Sequence, residues 1–553
     1  MKRKFYIMIL SGILATSSFS VTSFAAEETN IAAEEETAVS ESEETETSDT
    51  SAEEGPVAET THGSIRGEID ENNNVMIFRG IPYGSAVDGE NRFLPAEEAE
   101  GWEGIRDCTK NGNIAYQHSQ SISGSPDFGP YFSGSTPEIF RCEDEEENEN
   151  CLFLNVVTPN TDTEKRPVIV YIHGGGYATG SGSLVLGSGK MVNEEDVVMV
   201  GVNHRLNVFG YLHLGEFDEK YAESGMAGIL DLKLALEWVR DNIEQFGGDP
   251  SNVTIMGESG GASKICTLMA MPEAEGLFHK AIIESGASAA GTYTVEEATE
   301  AAQQFLDNLG VDPENLDALK DFTSEEIFTA AEELSFSPVA DGINLMPAES
   351  DEFVAYDCSA DVPIMVGASE DEQGAFISTD VLDEITWDNL RDKLIEAGTC
   401  TEENVDNVIQ VYKDTDTKDN TAEHLYLKIV STSGSLGAGA HQMACAKAEH
   451  GTAPVYEYVV AYDSGLALDH SRKYAWHTAD LPLQMRIVYY PESEELSKTM
   501  SSAWAAFART GNPSTETLEW PEFNMDTQEV MIFDDECRVE SDPWKVLRDA
   551  FNV

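Results

Sequence analysis

The chain has 553 residues, of which 41% are apolar, so it is long enough to enclose a large hydrophobic core. Lys and Arg number 33 against 102 Asp and Glu, which gives a formal net charge of −69 at pH 7. A surface this negative repels polyanions, so the composition excludes nucleic acids and anionic lipid surfaces as partners.

The first 26 residues have the three parts of a signal peptide. The basic start MKRK is followed by the apolar run FYIMILSGILATSSFSV and by Ser23-Phe24-Ala25, a sequence typical of a cleavage site. An uncleaved membrane anchor is the alternative, for which the apolar run is short. We expect cleavage near Ala25-Ala26, a secreted protein, and no stable membrane insertion after cleavage.

Residues 27–57 separate this signal from the rest of the chain. Positions 27–54 carry 12 acidic residues and no basic or aromatic one, a composition that buries too little apolar surface to fold. We therefore expect an acidic, disordered linker at 27–57, followed by a single folded domain at 58–553.

Within that domain, short apolar runs alternate with amphipathic helical stretches. The predicted strands are PVIVYI (167–172), VVMVGVN (197–203), VTIMG (253–257), KAIIES (280–285), VPIMVGA (362–368) and VYEYVVAY (455–462). Residues 226–246 repeat apolar positions at a spacing of three to four, as a helix packed on one face does. The alternation predicts an α/β fold with a large, mostly parallel central sheet and helices on both faces.

The eight cysteines stand at positions 108, 142, 151, 266, 358, 400, 445 and 537. Export permits disulfides, but a core of this size does not require them. Cys142 and Cys151 enclose a short acidic loop and form the pair that we expect to be bridged, although spacing does not determine connectivity. No CxxC or paired-histidine spacing occurs, so we predict no metal site.

Three consecutive glycines, Gly174 to Gly176, follow the first of these predicted strands. Bare backbone of this kind is costly in entropy and is used where N–H groups must approach a negative charge. A phosphate loop is one alternative, and Gly187-Ser188-Gly189-Lys190 is similar to its end. However, Met191 follows the lysine, and Leu184 stands where the first glycine belongs. The sequence therefore favours an oxyanion hole.

The segment VTIMGESGGASK (253–264) contains the motif G-x-S-x-G around Ser259. The motif alone is weak, but here a predicted strand precedes it and a predicted helix follows it. In such a nucleophile elbow the turn is tight, so the flanking residues must be small, and the serine Oγ is exposed near a helix N-terminus. Ser259 is thus the candidate nucleophile, and the N–H of Gly260 is a candidate oxyanion donor.

Several longer segments match those of one protein family and follow one another in the same order as in that family. They are FRGIPYG, ENENCLFLNV, IHGGGY, NHRLNVFGYL, the stretch from GILDLK to GESGGA, and FARTGNP. Together they resemble the type-B carboxylesterases, the α/β-hydrolases that include the cholinesterases. The resemblance runs from about residue 60 to near the C-terminus, and it implies the α/β-hydrolase fold. It also implies oxyanion donors at Gly175, Gly176 and Gly260. The pairs that it implies to form buried salt bridges are Arg92–Glu149 and Arg205–Asp231.

The resemblance also implies a catalytic acid after the serine. That acid maps onto Glu372 in VGASEDEQGAF (366–376). Gln373 stands where the family usually has glycine, so the neighbouring Glu370 and Asp371 remain rivals.

The catalytic base is expected to follow the acid. His477 lies in YAWHTADLPLQM (474–485), which resembles the family segment that carries the histidine, whereas His470 lacks the apolar residues that follow it. The other histidines after the acid are His424, His441 and His450, which stand in helix-like stretches or just before a strand.

These residues predict a serine hydrolase that cleaves small carboxylic esters through an acyl-enzyme, without a cofactor or a metal. Glu258 is a candidate for tuning His477, against a purely positional role, and Phe376 is a candidate pocket residue, against simple packing. A thioesterase or an amidase uses the same machinery, and a non-catalytic binding protein would have lost Ser259. No Trp occurs in GSTPEIFRCEDEEE, which disfavours choline specificity. The sequence leaves the oligomeric state open.

Overall fold

The computed structural model describes residues 55–117, 145–287, 292–347, 357–415, 421–463, 473–488 and 491–551. The predicted signal peptide, residues 27–54 of the predicted linker, Cys142 and His470 lie outside the described residues. Residues Glu54–Val553 form one compact unit. Within the described segments, no helix combines the length and the apolar composition that a membrane span requires.

The described strands are β1 (Val57–Thr60), β2 (Gly63–Arg66), β3 (Glu68–Asp70), β4 (Val75–Pro82), β5 (Ile105–Asp107), β6 (Phe153–Thr158), β7 (Arg166–Ile172), β8 (Val198–Val202), β9 (Gly248–Glu258), β10 (Lys280–Glu284), β11 (Ile364–Ser369), β12 (Val455–Val460), β13 (Glu529–Phe533) and β14 (Arg538–Ser541). The described α-helices are α1 (Gly189–Glu195), α2 (Asn207–Tyr211), α3 (Ala227–Asn242), α4 (Gly260–Met269), α5 (Val295–Leu309), α6 (Ser324–Ala331), α7 (Thr379–Asp383), α8 (Leu390–Glu396), α9 (Val405–Thr415), α10 (Ala422–Ser433), α11 (Ser435–His450), α12 (Asp480–Gln484), α13 (Glu494–Thr510) and α14 (Lys545–Phe551).

The main sheet has 11 strands in the order β14-β13-β12-β11-β10-β9-β7-β8-β6-β4-β3. Neighbouring strands from β13 to β8 in this order pair in parallel, whereas the pairs β14–β13 at one edge and β8–β6, β6–β4 and β4–β3 at the other are antiparallel. A second, three-stranded sheet has the order β1-β2-β5. The predicted α/β class with a mostly parallel sheet is confirmed.

Helices cover both faces of the main sheet, and strand β7 shows how. Its residues Val168, Val170 and Ile172 belong to one hydrophobic cluster, which includes α3 and α4. The alternate residues Ile169 and Tyr171 belong to a second cluster, which includes α1 and α13. Successive side chains of a strand point to opposite faces, so a strand covered on both sides reads as a continuous apolar run.

The predicted strands coincide with β7 to β12, and the predicted helix 226–246 is α3 followed by a 3-10 turn at Ile243–Phe246. The two implied salt bridges are confirmed, with 2.7 Å between Arg92 Nε and Glu149 Oε2 and 2.7 Å between Arg205 Nη2 and Asp231 Oδ1. All four side chains are buried.

Of the expected Cys142–Cys151 pair, only Cys151 lies within the described residues. Its thiol is free and buried.

Candidate active site

The turn between β9 and α4 has the geometry of a nucleophile elbow. The backbone of Ser259 has φ +56° and ψ −124°, a region that residues other than glycine rarely adopt. Two backbone hydrogen bonds hold it there: Ser259 N donates to Glu284 O at 2.8 Å, and Ser263 N donates to Ser259 O at 3.1 Å. The surrounding structure therefore imposes the strained conformation and leaves the serine half-buried.

Two glycines beside the serine allow the neighbouring backbone to come close. A Cβ added at Gly260 would overlap the carbonyl of Gly176, and one added at Gly261 would overlap the carbonyl of Ile172. The elbow thus packs directly against the end of β7 and against the loop that follows it. Only residues without a side chain fit this contact.

The loop after β7 holds its peptide groups in defined orientations. His173 Nδ1 lies 2.9 Å from Gly174 O, and Thr179 N donates to Gly175 O at 3.1 Å. In a planar trans peptide the C=O and the N–H point in opposite directions, so these contacts also orient the N–H groups of Gly175 and Gly176. Both glycines are exposed and have positive φ, at 81° and 61°.

Three backbone N–H groups are available at this place. Among the described residues, none of the N–H groups of Gly175, Gly176 and Gly260 donates a hydrogen bond to another group. The first two come from the loop after β7 and the third from the N-terminus of α4, and the two segments are in contact. Such an arrangement can hold an oxygen that becomes negatively charged.

Lys264, a residue that no motif in the sequence marks, lies beneath this loop. Its side chain is 0% exposed, and Nζ donates to His173 O at 3.0 Å. Burial lowers the pKa of Lys264 to about 7. The available signal was a single lysine in the otherwise uncharged helix GGASKICTLM, but a lysine in a helix is normally exposed.

Glu372 and His477 meet, although 105 positions separate them. Glu372 begins a 3-10 turn just after β11, and its Oε1 accepts a hydrogen bond from Ser369 N at 2.7 Å. Its Oε2 lies 2.5 Å from His477 Nδ1, and both side chains are buried. A carboxylate in this position can orient an imidazole and stabilise its cation.

The two rival acids have other partners. Asp371 Oδ2 lies 3.2 Å from His424 Nε2, and Glu370 Oε2 lies 3.4 Å from Lys428 Nζ. In the part of the chain that the structure describes, neither carboxylate contacts the imidazole of His477. The structure therefore brings only Glu372 of the three acids to that histidine.

The second nitrogen of His477 faces the elbow. Its Nε2 lies 3.1 Å from Glu258 Oε1, without the alignment of a hydrogen bond. No hydrogen bond joins Ser259 Oγ to this nitrogen within the described residues. Phe376 packs on the imidazole, with ring centroids 5.0 Å apart.

Burial and neighbouring charges shift the pKa values of both Glu258 and His477. Burial raises the pKa of Glu258 to about 8. Burial lowers the pKa of His477, but the negative charges of Glu258 and Glu372 outweigh it, and the pKa rises to about 9. Glu258 therefore helps to set the basicity of His477.

Two more buried carboxyl groups lie on the same side of the sheet. Glu284 accepts hydrogen bonds from Gln484 Nε2 and Trp504 Nε1, both at 2.8 Å, and Asp480 accepts one from Tyr458 at 3.2 Å. Burial raises the pKa of Glu284 well above its usual range and that of Asp480 to about 6. No role follows from the sequence alone for Glu284 or Asp480.

A sequence model of the carboxylesterase family matches residues 54–545. The chain belongs to the carboxylesterase family. It is a carboxylic-ester hydrolase with the α/β-hydrolase fold, as the resemblance in the sequence implied.

Curated carboxylesterases are similar over nearly their whole length. The para-nitrobenzyl esterase of Bacillus subtilis (strain 168) is 33% identical over 523 residues, which cover 88% of this chain and 96% of that protein. The acylcarnitine hydrolase of Mus musculus is 30% identical over 513 residues, which cover 87% of this chain and 88% of that protein.

Solved structures agree with this relationship. The Geobacillus stearothermophilus carboxylesterase EST55 superposes with a TM-score of 0.73 at 32% identity, covering 90% of this chain and 99% of that one. An esterase from anaerobic Clostridium hathewayi, described as able to hydrolyze aliphatic aromatic polyesters, gives 0.73 at 29% identity, covering 90% and 98%.

Proposed function

We propose that this carboxylesterase cleaves small carboxylic esters through an acyl-enzyme formed on Ser259, with His477 as the base and Glu372 as the residue that orients it. The observation that carries the proposal is the 2.5 Å contact between His477 Nδ1 and Glu372 Oε2, beside an elbow and a glycine loop whose three N–H groups donate to no other described group.

In the proposed reaction, Ser259 Oγ attacks the ester carbonyl while its proton passes to His477 Nε2. The N–H groups of Gly175, Gly176 and Gly260 receive the oxyanion. Loss of one such donor reduces kcat by about 10²–10³-fold in related chemistry. The imidazolium then protonates the departing alcohol, and a water molecule hydrolyses the acyl-enzyme through the same steps.

The carboxyl group of Glu258 lies against His477 Nε2, the nitrogen that must accept the serine proton in this mechanism. Because burial favours its neutral form, this side chain does not hold His477 in a permanent ion pair at neutral pH. Nε2 accepts the serine proton when His477 is neutral, and its raised pKa of about 9 places that form in the alkaline range. The hydrogen bonds of catalytic groups commonly become well aligned only when the substrate is bound.

We further propose that neutral and cationic esters are better substrates than anionic ones, because the net charge of −69 repels anions. We propose export from the cell on the basis of the signal pattern in residues 1–26.

A fluorophosphonate probe tests the nucleophile. We expect it to label Ser259 in the wild type, as mapped by mass spectrometry, and to leave Ser259→Ala unlabelled and inactive. Ser263→Ala is the matched control on the same helix, because its Oγ donates to Gly286 O at 3.0 Å and has no role in the mechanism. Labelling at another residue, or ester turnover by Ser259→Ala, would overturn the proposal.

A substrate panel then tests the reaction class. Esters, thioesters and amides that share one acyl group are compared by kcat/KM. We expect esters to react fastest. Faster cleavage of the thioester or the amide would replace the ester in the proposed function.

A further inference from the structure

Lys264 is a buried lysine whose side chain forms no ion pair with a described carboxylate. It is enclosed on α4, and its one hydrogen bond goes to His173 O at 3.0 Å. A buried ammonium group without an opposite charge is destabilising, so a residue that only fills space would be apolar. The position of this amine therefore calls for a role beyond packing.

The hydrogen bond of Lys264 connects the two halves of the oxyanion hole. Lys264 and Gly260 lie on the same helix, α4. His173 is the last residue before the loop that carries Gly175 and Gly176. The bond from Nζ to His173 O is thus a direct link between the segments that provide the three donors.

This link also determines the direction of the first peptide in the loop. With the His173 carbonyl held by Lys264, the planar peptide sets the direction of the Gly174 N–H and the path of the chain toward Gly175. The His173 ring holds the next carbonyl, because its Nδ1 lies 2.9 Å from Gly174 O. The carbonyls of His173 and Gly174, which precede the donor N–H groups in the chain, are therefore both held by hydrogen bonds.

The groups around the amine are uncharged. The His173 ring stacks on the His204 ring with centroids 4.5 Å apart, and the Tyr177 ring centroid is 5.8 Å from Nζ. Burial and the charge of Lys264 lower the pKa of His173 to about 3, so the ring stays neutral and can donate from Nδ1. Burial likewise lowers the pKa of His204 well below its usual range.

We propose that Lys264 is a positioning residue for the oxyanion hole: its hydrogen bond to His173 O holds the loop so that the N–H groups of Gly175 and Gly176 meet that of Gly260. The inference rests on the proposed function of those three donors. It goes beyond that function because it assigns transition-state stabilisation to a side chain that does not touch the substrate.

Lys264→Met tests the link, because methionine keeps the unbranched shape and removes the donor. Lys447→Met is the matched control, since Lys447 is also buried and donates to a backbone carbonyl, that of Ser359, away from the loop. Because the oxyanion donors are displaced rather than deleted, we expect kcat of Lys264→Met to fall at least about 10-fold with KM unchanged. We expect Lys447→Met to keep its kcat.

A trifluoromethyl ketone inhibitor separates positioning from a loss of stability. Ser259 Oγ adds to its carbonyl carbon while the serine proton passes to His477, and the resulting oxyanion occupies the same hole as in catalysis. We expect Lys264→Met to bind the ketone at least about 10-fold more weakly, while its affinity for the corresponding alcohol, which forms no oxyanion, is unchanged. If Lys264→Met does not fold, Lys264→Leu, which also lacks a donor, is measured in the same way.

The outcomes distinguish the two proposals. If the wild type neither binds the ketone through Ser259 nor is labelled there, the proposed function fails. If the wild type does both, and the folded Lys264 variant keeps its kcat or its affinity for the ketone, the role of Lys264 is wrong and the proposed function stands. Equal loss of affinity for the ketone and the alcohol also contradicts positioning.

Discussion

Replacing Glu258 by Gln is expected to move the acid limb of kcat/KM to lower pH. Glu258 Oε1 lies 3.1 Å from His477 Nε2, and its negative charge raises the pKa of this imidazole. Glutamine has nearly the same shape and no charge. Without the charge the imidazolium is less stable, so the pKa of His477 falls and the neutral base persists to lower pH.

The distance between Glu258 Oε1 and His477 Nε2 gives an upper limit for the fall in the pKa of His477. Two unit charges 3.1 Å apart in a medium of effective dielectric constant about 20 interact by about 5 kcal/mol, or about 4 pKa units, which is an upper limit. Because Glu258 titrates at about 8 and His477 at about 9, the carboxyl is ionised over only part of the range in which the imidazole titrates and exerts only part of this effect. We therefore expect a downward shift of about 1 unit.

The measurement is kcat/KM for a neutral ester at constant ionic strength, followed by titration of the released acid across the neutral and alkaline range, which includes the pKa of His477 of about 9. Glu284→Gln is the control, since Glu284 is a buried carboxyl group whose partners are Gln484 and Trp504. Its acid limb should coincide with that of the wild type. An acid limb that stays in place or rises in Glu258→Gln would refute the reasoning.

Three further outcomes are expected. In Gly260→Ala the new Cβ overlaps the Gly176 carbonyl, so kcat in steady-state kinetics should fall by about 100-fold or more, and a kcat near that of the wild type would contradict the packing. Arg205→Met leaves Asp231 buried without its partner and should lower the free energy of unfolding in urea by about 3–5 kcal/mol. In contrast, Arg240→Met, at an exposed pair, should cost less than about 1 kcal/mol. The preference for a neutral over an anionic ester should shrink as salt rises, and a constant ratio would argue against steering by the acidic surface.

The strands of the parallel sheet could be predicted because burial on both faces leaves a continuous apolar run. PVIVYI and VPIMVGA are such runs, and they became β7 and β11 with boundaries one or two residues away. The edge strand β14 has mostly exposed residues and pairs only through its backbone with β13, so its sequence RVES carries no hydrophobic pattern. No local signal marks such a strand.

The candidate site could be predicted where a motif requires an unusual backbone conformation or a close backbone contact. Ser259 and the triple glycine are examples, because tight turns and close contacts restrict residue type locally. The resemblance implied Glu372, but the residues themselves left three adjacent acids open, because which of them faces His477 depends on the 3-10 turn that begins at Glu372. The burial of Lys264 was equally hidden, since it results from elements that pack around α4.

The distance in sequence between Glu372 and His477 has a practical consequence. Their contact forms only after β11, β12 and the loop beyond β12 have reached their native places. The elbow in addition requires β9 to be inserted beside β7 and β10. Under the proposed mechanism, recovery of ester turnover after dilution from denaturant therefore reports the completed assembly of the middle of the sheet, so that activity itself measures refolding.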